Sequence, residues 1–327
     1  MYGINNAGQA VGSVGAGSSV CPTVAGCAVI WSDDTPSALG AVKGAYGSEA
    51  YAINNTGQVV GIAIVRKSSS SLDEAVIWNS GTPTVLPAPG SQYEQSYANS
   101  INDAGEVVGS AVESGDTGEI PVEWNGLTPT VLSMASGCTG NSGASAVNSN
   151  SLVVGATECG TDQPVQEAVV WHGTIATLLP EVKSRHAPSG KALAVNDSGL
   201  VVGTANNSAS DAYATAWQGK VVTNLGVLEN GNRSAATAVN SQGIIVGQSA
   251  TVDYSEFHAA LWSRVGGQTQ DLNALIGTTQ ASEYLLTDAV GINDSCTIVA
   301  NGYNKKTGAT ASFLLTLIDA SNCVNGM

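Results

Sequence analysis

Apolar residues along this chain fall into short runs that alternate with polar ones, and the runs are separated by Asn, Gly, Ser and Thr; no stretch sustains the 3.6-residue apolar period of an amphipathic helix. The pattern predicts many strands, tight turns and little helix. Residues 51–87 show one unit. Residues 51–53 read as a strand, 54–57 as a hairpin turn and 58–65 as a second strand. Residues 75–78 then make a third strand, 79–82 a second tight turn and 84–86 a fourth strand. In the first turn an Asx side chain can bond the backbone two residues on, and a glycine three residues later supplies positive φ.

The unit repeats. An aliphatic-Asn pair, followed by a polar residue, a small residue, Gly, a polar residue and Val-Val-Gly, recurs in more or less complete form at Asn5, Asn54, Asn102, Asn148, Asn196, Asn240 and Asn293, at a mean step of 48 residues. About 21 to 26 residues after the first six asparagines stand Trp31, Trp78, Trp124, Trp171, Trp217 and Trp262, and Leu315 holds that place in the seventh copy. Four strands per unit is the arithmetic of a propeller blade. The expectation is a single all-β domain over residues 1–327, a seven-bladed β-propeller of about four antiparallel strands per blade. The blades begin near residues 2, 51, 99, 145, 193, 237 and 289, and the last is incomplete because few residues follow Leu317. Each tryptophan ends an alternating strand at the same place, which predicts core packing between sheets. The asparagines are read as turn formers.

Composition agrees with this reading and removes several functions. The chain is 43% apolar, 11% charged and 5% aromatic, with 39 glycines. Eleven Lys and Arg against 26 Asp and Glu leave a net charge of −15, which excludes affinity for nucleic acid or an anionic lipid surface. No apolar run approaches the roughly 20 residues of a membrane-spanning helix, so no membrane insertion is expected. Met1 leads directly into patterned sequence, so any secretion signal is expected to have been removed.

The segments Ala52-Ile53-Asn54-Asn55-Thr56-Gly57-Gln58-Val59-Val60-Gly61 and His258-Ala259-Ala260-Leu261-Trp262 resemble the HAF-type extracellular repeat family, named for a His-Ala-Phe triplet. The resemblance covers essentially the whole chain. His258 carries the histidine, Glu74 and Glu167 stand in its place in other repeats, and Ser312-Phe313-Leu314 keeps the phenylalanine. It implies a secreted or surface-exposed bacterial repeat protein and no established activity.

Six cysteines, none in a Cys-x-x-Cys pair, allow 15 full pairings. Neighbours in sequence become neighbours in space in a hairpin repeat, so the expected disulfides are Cys21–Cys27, Cys138–Cys159 and Cys296–Cys323, formed in an oxidising compartment.

The chain holds no Gly-x-Ser-x-Gly elbow, phosphate loop, His-Glu-x-x-His or EF-type calcium loop, and no cofactor or metal is expected. His172 reads as an exposed turn residue, and His258, at the repeat position of the family, as structural rather than catalytic. Connections on one side of the disc are short and repetitive. Those on the other side vary, at 65–74, 113–121, 159–167 and 253–258 within blades and at 43–49, 87–97, 181–191, 229–233 and 278–288 between blades. Variable loops on a rigid scaffold are where binding sits. They carry Tyr46, Tyr93, Tyr97, Lys183, Arg185, His186, Arg233 and Tyr284, which are expected to hold a glycan or a surface protein. The alternative is a polysaccharide lyase or hydrolase in which Lys183, Arg185, His186 and Arg233 bind an acidic polymer and Glu229 or Asp288 acts as acid or base. Asp33, Asp34, Glu113, Asp116, Glu119, Glu158 and Asp162 could instead clasp calcium, although a solvated acidic face is the better account of them.

Overall fold

A computed structural model of the chain describes residues 1–21, 25–67, 70–115, 118–160, 164–182, 189–206, 211–251 and 256–317. Among these residues the fold is a seven-bladed antiparallel β-propeller: six sheets have four strands in sequential order, and the seventh has three. Helix is confined to a 3-10 turn, Leu272–Ala274, and a single α-helical stretch, Thr278–Glu283. Both lie between the sixth and seventh sheets, where the sequence led to a plain loop. The chain divides into two compact units, one of residues 2–164 and 169–177, the other of residue 1, 165–168 and 178–327.

The second sheet shows how the expected unit is built and where it differs. Its strands are Ala45–Ile53, Val59–Lys67, Ser70–Asn79 and Thr82–Val85. The first three are longer than the apolar pattern suggests, because pairing continues through the polar positions Arg66↔Ser71 and Lys67↔Ser70. First strands begin early in other sheets too, at Tyr93 and Tyr284. Tyr46, Tyr93, Tyr97 and Tyr284 therefore stand in strands and are partly buried, where the sequence reading had them in exposed loops.

The recurrent asparagine closes its own turn and also ties successive blades. Asn54 accepts at Oδ1 from the backbone N–H of Thr56 and Gln58, at 3.2 and 2.8 Å, and Gly57 takes φ of 81°. Its Nδ2 donates to the carbonyl of Asn102 at 2.9 Å. In the first unit the same bond runs from Asn5 to Asn54 and from Asn102 to Asn148; in the second it runs from Asn196 to Asn240 and from Asn240 to Asn293. All seven asparagines are buried, and a buried amide is stable only when its hydrogen bonds are made. Turn chemistry was legible in the motif; the inter-blade bond was not.

The glycine of Val-Val-Gly has a different cause. In sheets two to six the first strand carries one extra residue, at Tyr51, Asn99, Ser145, Leu193 and Thr237, between the paired positions of its partner. This bulge brings backbone against backbone: a Cβ at Gly61, Gly109, Gly155, Gly203 or Gly247 would overlap the facing carbonyl oxygen.

Apolar layers between successive sheets form the core. Val60, Ile77 and Leu86 of the second sheet pack with Ile101, Val107 and Trp124 of the third. In the second unit Ile244, Val246 and Leu261 meet Leu286, Ile298 and Ala300. Trp78, Trp124, Trp171, Trp217 and Trp262 are fully buried, as expected. Their indole N–H groups do more than fill space: Trp78, Trp124, Trp171 and Trp217 donate to the carbonyls of Gly40, Pro87, Ser133 and Pro180 at 2.7–2.8 Å. Each acceptor lies just past the fourth strand of the preceding sheet, so the tryptophan holds the chain where it passes from one blade to the next.

Cys21–Cys27 and Cys138–Cys159 are disulfides, which fits an oxidising, extracellular environment. Cys296 is also disulfide-bonded, and Cys323, its expected partner, lies outside the described residues. No helix among the described residues is long and apolar enough to cross a membrane.

Candidate functional site

Within each unit, the ends of the sheets opposite the asparagine turns form corners where the start of one third strand meets the exit of its sheet and the entry to the next. The residue four before the tryptophan sits in such a corner at Glu167 and His258, near the starts of the strands Val165–His172 and Phe257–Trp262, whereas Glu74 holds that place inside the longer strand Ser70–Asn79. Three successive corners of the second unit carry three different chemistries.

Between the fourth and fifth sheets, Glu167 and Glu181 line a shallow cleft with Leu179, Pro180, Val182 and Trp217. Burial, and then the charge of Glu181, raise the Glu167 carboxyl above its usual range.

Between the fifth and sixth sheets stand Asp211, Asn232 and Arg233. Asn232 donates from Nδ2 to Asp211 Oδ1 at 3.2 Å. The segment is pinned from below, because the N–H of Ala250 donates to Arg233 O at 2.8 Å and the N–H of Leu228 donates to Ser249 Oγ at 2.9 Å. Asn230 takes φ of 62° in the turn that delivers it.

Between the sixth and seventh sheets lies a four-residue chain. His258 Nδ1 is 2.7 Å from Asp271 Oδ2, its Nε2 is 3.6 Å from Glu256 Oε2, and Tyr303 donates its hydroxyl to Glu256 Oε1 at 2.8 Å. Asp271 Oδ1 accepts from Asn273 N, so the carboxylate caps the 3-10 turn while it orients the imidazole. The hydrogen bond to Asp271 raises the His258 pKa above its ordinary value, against the opposing effect of burial. Burial would raise Asp271, but its bonds from His258 and Asn273 outweigh this and hold it low. The result is an imidazole ring held between two carboxylates, an arrangement that favours its protonated form. This network was missed because its members are 2 to 47 residues apart, and only the backbone pairing brings them together.

In the first unit, a cleft of about 200 Å³ between the first two sheets is lined by Val20, Cys27, Leu39, Val42 and Tyr46. The Arg66 guanidinium lies over the Tyr46 ring, 5.1 Å from its centroid, and Tyr46 also hydrogen-bonds Ser71. The Cys21–Cys27 disulfide stiffens the rim. Tyr97 hydrogen-bonds Asp73, which lowers that carboxyl while burial, the larger effect, raises it.

The remaining expected residues are placed as follows. Tyr93 packs on the apolar layer between the second and third sheets, and Tyr284 makes an edge contact with Phe313. Lys183, Arg185, His186, Asp116 and Asp162 lie outside the described residues. Asp288 is held by Thr287 and Asn301, Glu229 is exposed, and His172 is the exposed last residue of a strand, one position before the turn in which the sequence reading had it. Asp33 and Asp34 both take positive φ in a hairpin turn, and Glu158 accepts from the backbone of Asn141. Among the described residues no three His, Cys, Asp or Glu side chains are grouped to hold a metal ion.

Fold and site together define the class, an antiparallel β-propeller with chemically varied corners on one end of its sheets. No family model matches the chain, and no curated protein matches it. Among solved structures it is similar to the β-propeller domain of the trilobed protease from Pyrococcus furiosus, which has an open velcro topology, at 10% identity and a TM-score of 0.42, covering 86% of this chain and 99% of that one. It is also similar to dipeptidyl peptidase 4 from Porphyromonas gingivalis, at 10% identity and a TM-score of 0.44, covering 91% of this chain and 49% of that one. This chain thus spans about half the length of the latter.

Proposed function

We propose that this protein is a secreted or cell-surface binding module of the HAF-repeat type, which recognises a glycan or a surface protein through the variable corners of its blades. One observation carries the reading: the asparagine ends of the sheets repeat the same saturated hydrogen bonds, whereas the corners differ from blade to blade and offer Tyr46 with Arg66, Glu167 with Glu181, and Asn232 with Arg233. Side chains held on paired strands and disulfide-braced rims lose little entropy when a ligand binds.

A glycan and surface-protein array comparing wild type with the Tyr46→Ala, Arg66→Ala, Arg233→Ala triple variant tests this. Loss of the wild-type signals with little change in melting supports the reading, and identical profiles refute it. Glu167 favours a second reading, a hydrolase acting on an acidic polymer, because a carboxyl with raised pKa is suited to general-acid work. Turnover of a bound polysaccharide that is lost in Glu167→Gln would establish that reading.

A further inference from the structure

The corner between the fifth and sixth sheets holds two polar atoms that the fold leaves unused. Arg233 Nε and Asn232 Oδ1 are both shielded from solvent, and neither finds a hydrogen-bond partner among the described residues. Their neighbours are otherwise committed: Asn232 Nδ2 donates to Asp211, and the Arg233 carbonyl accepts from Ala250. The amide orientation is not arbitrary. A carboxylate oxygen only accepts, so the NH₂ of Asn232 must face Asp211 and the carbonyl oxygen must face away from it. A guanidinium edge that includes Nε is a fork matched to a carboxylate, and the amide oxygen of the adjacent residue needs an O–H or N–H donor. Buried polar atoms are normally satisfied, and two orphans on adjacent residues of a pinned turn mark a place where something else completes the set.

We infer that Asn232 and Arg233 form a subsite for a hydroxycarboxylate, of the kind a uronic acid presents: the carboxylate bridges the Arg233 guanidinium through Nε, and a neighbouring sugar hydroxyl donates to Asn232 Oδ1. The inference rests on the binding role proposed above and names its ligand chemistry. A bare carboxylate would satisfy Arg233 and leave Asn232 Oδ1 orphaned, so the ligand needs a donor next to its carboxylate, which a sugar acid supplies as a ring hydroxyl. The net charge of −15 gives no general attraction for polyanions, so recognition depends on this local fork.

Calorimetry of the full chain with digalacturonate, its methyl ester and a Glu–Glu dipeptide is the test, run on wild type, Arg233→Ala and Arg233→Lys, each checked for an unchanged circular dichroism spectrum and melting curve. Wild type should bind digalacturonate at least about tenfold more tightly than the ester or the dipeptide, since the ester loses the charged two-oxygen edge that the guanidinium pairs with and the dipeptide lacks the sugar hydroxyl. Arg233→Ala should lose about tenfold or more, and Arg233→Lys, which keeps the charge but not the fork, should also be weaker than wild type. No binding of digalacturonate by wild type, equal binding of acid and ester, or undiminished binding by Arg233→Ala overturns the inference; preference for the dipeptide assigns the corner to acidic peptides instead. If digalacturonate fails while the array, run also with a Tyr46→Ala, Arg66→Ala double variant, still shows binding that this variant loses, the subsite falls and the binding role stands. An array without any signal removes both.

Discussion

His258 Nδ1 and Asp271 Oδ2 stand 2.7 Å apart, joining the third strand of the sixth sheet to the carboxylate that caps the following 3-10 turn. Both partners prefer to be charged. The raised His258 pKa contributes stability that is fully present below its unfolded value, near 6.5, and is lost as pH rises through the higher folded value. The lowered Asp271 pKa contributes stability present above its unfolded value, near 3.8, and lost as pH falls through the lower folded one. The pair is therefore strongest between about pH 4 and 6.5. Asp271→Asn should cost about 1 kcal/mol in that window and less at pH 8, as read from urea midpoints across pH. A cost independent of pH would mean that capping, not the ion pair, is what Asp271 supplies.

Asn102 accepts from the N–H of Ala104 and Glu106 and donates to Asn148 O, all while buried. Asn102→Ala leaves those groups without partners and should destabilise by about 2–4 kcal/mol in denaturant unfolding. A change under about 0.5 kcal/mol would show that water replaces the side chain and that the inter-blade bond is dispensable.

Gly109 has ordinary negative φ, so the objection to a side chain there is purely the approach of Tyr97 O. Gly109→Ala should cost about 3 kcal/mol or lose the folded protein, comparable to overpacking in a core. Near-neutral behaviour would require the bulge at Asn99 to relax freely.

Asp33 and Asp34 take φ of 47° and 61° in the hairpin between Ser32 and Thr35. Glycine is the favoured second residue of such a type I′ turn, and Asp34→Gly also removes one of two adjacent like charges. It should stabilise by about 0.5–1 kcal/mol, measured as a rise in melting temperature. A fall would show that the carboxylate has an unrecognised role.

Removing the Cys138–Cys159 disulfide, which closes a separation of 21 residues, by replacing both cysteines with serine should cost about 3 kcal/mol in reversible unfolding. Unchanged stability would mean that the hairpin holds those ends without it.

The repeat made the architecture readable before any coordinates. Turns, glycines and strand alternation are local, and the 48-residue mean period carried by the asparagines from Asn5 to Asn293 set the number of blades. Burial of five of the six tryptophans followed from their place at a strand end, whereas Trp31 in the first sheet is only partly buried. The loop-face tyrosines were less legible. Hydrophobicity marks where an apolar run starts, but strand ends are set by hydrogen-bonded partners, and the strands holding Tyr46, Tyr93 and Tyr97 reach further than their apolar residues do.

By itself the sequence determined the fold class, the blade count, the turn chemistry and the two disulfides Cys21–Cys27 and Cys138–Cys159, because each depends on residues close together in the chain or on a period repeated along it. Tertiary structure alone decided that Asn54 reaches Asn102, that Trp217 holds Pro180, that His258 lies between Asp271 and Glu256, and that Asn232 and Arg233 are left with unsatisfied atoms. Those relations depend on how one blade is set against the next, and side chains brought together across that joint leave no periodic mark in a single chain.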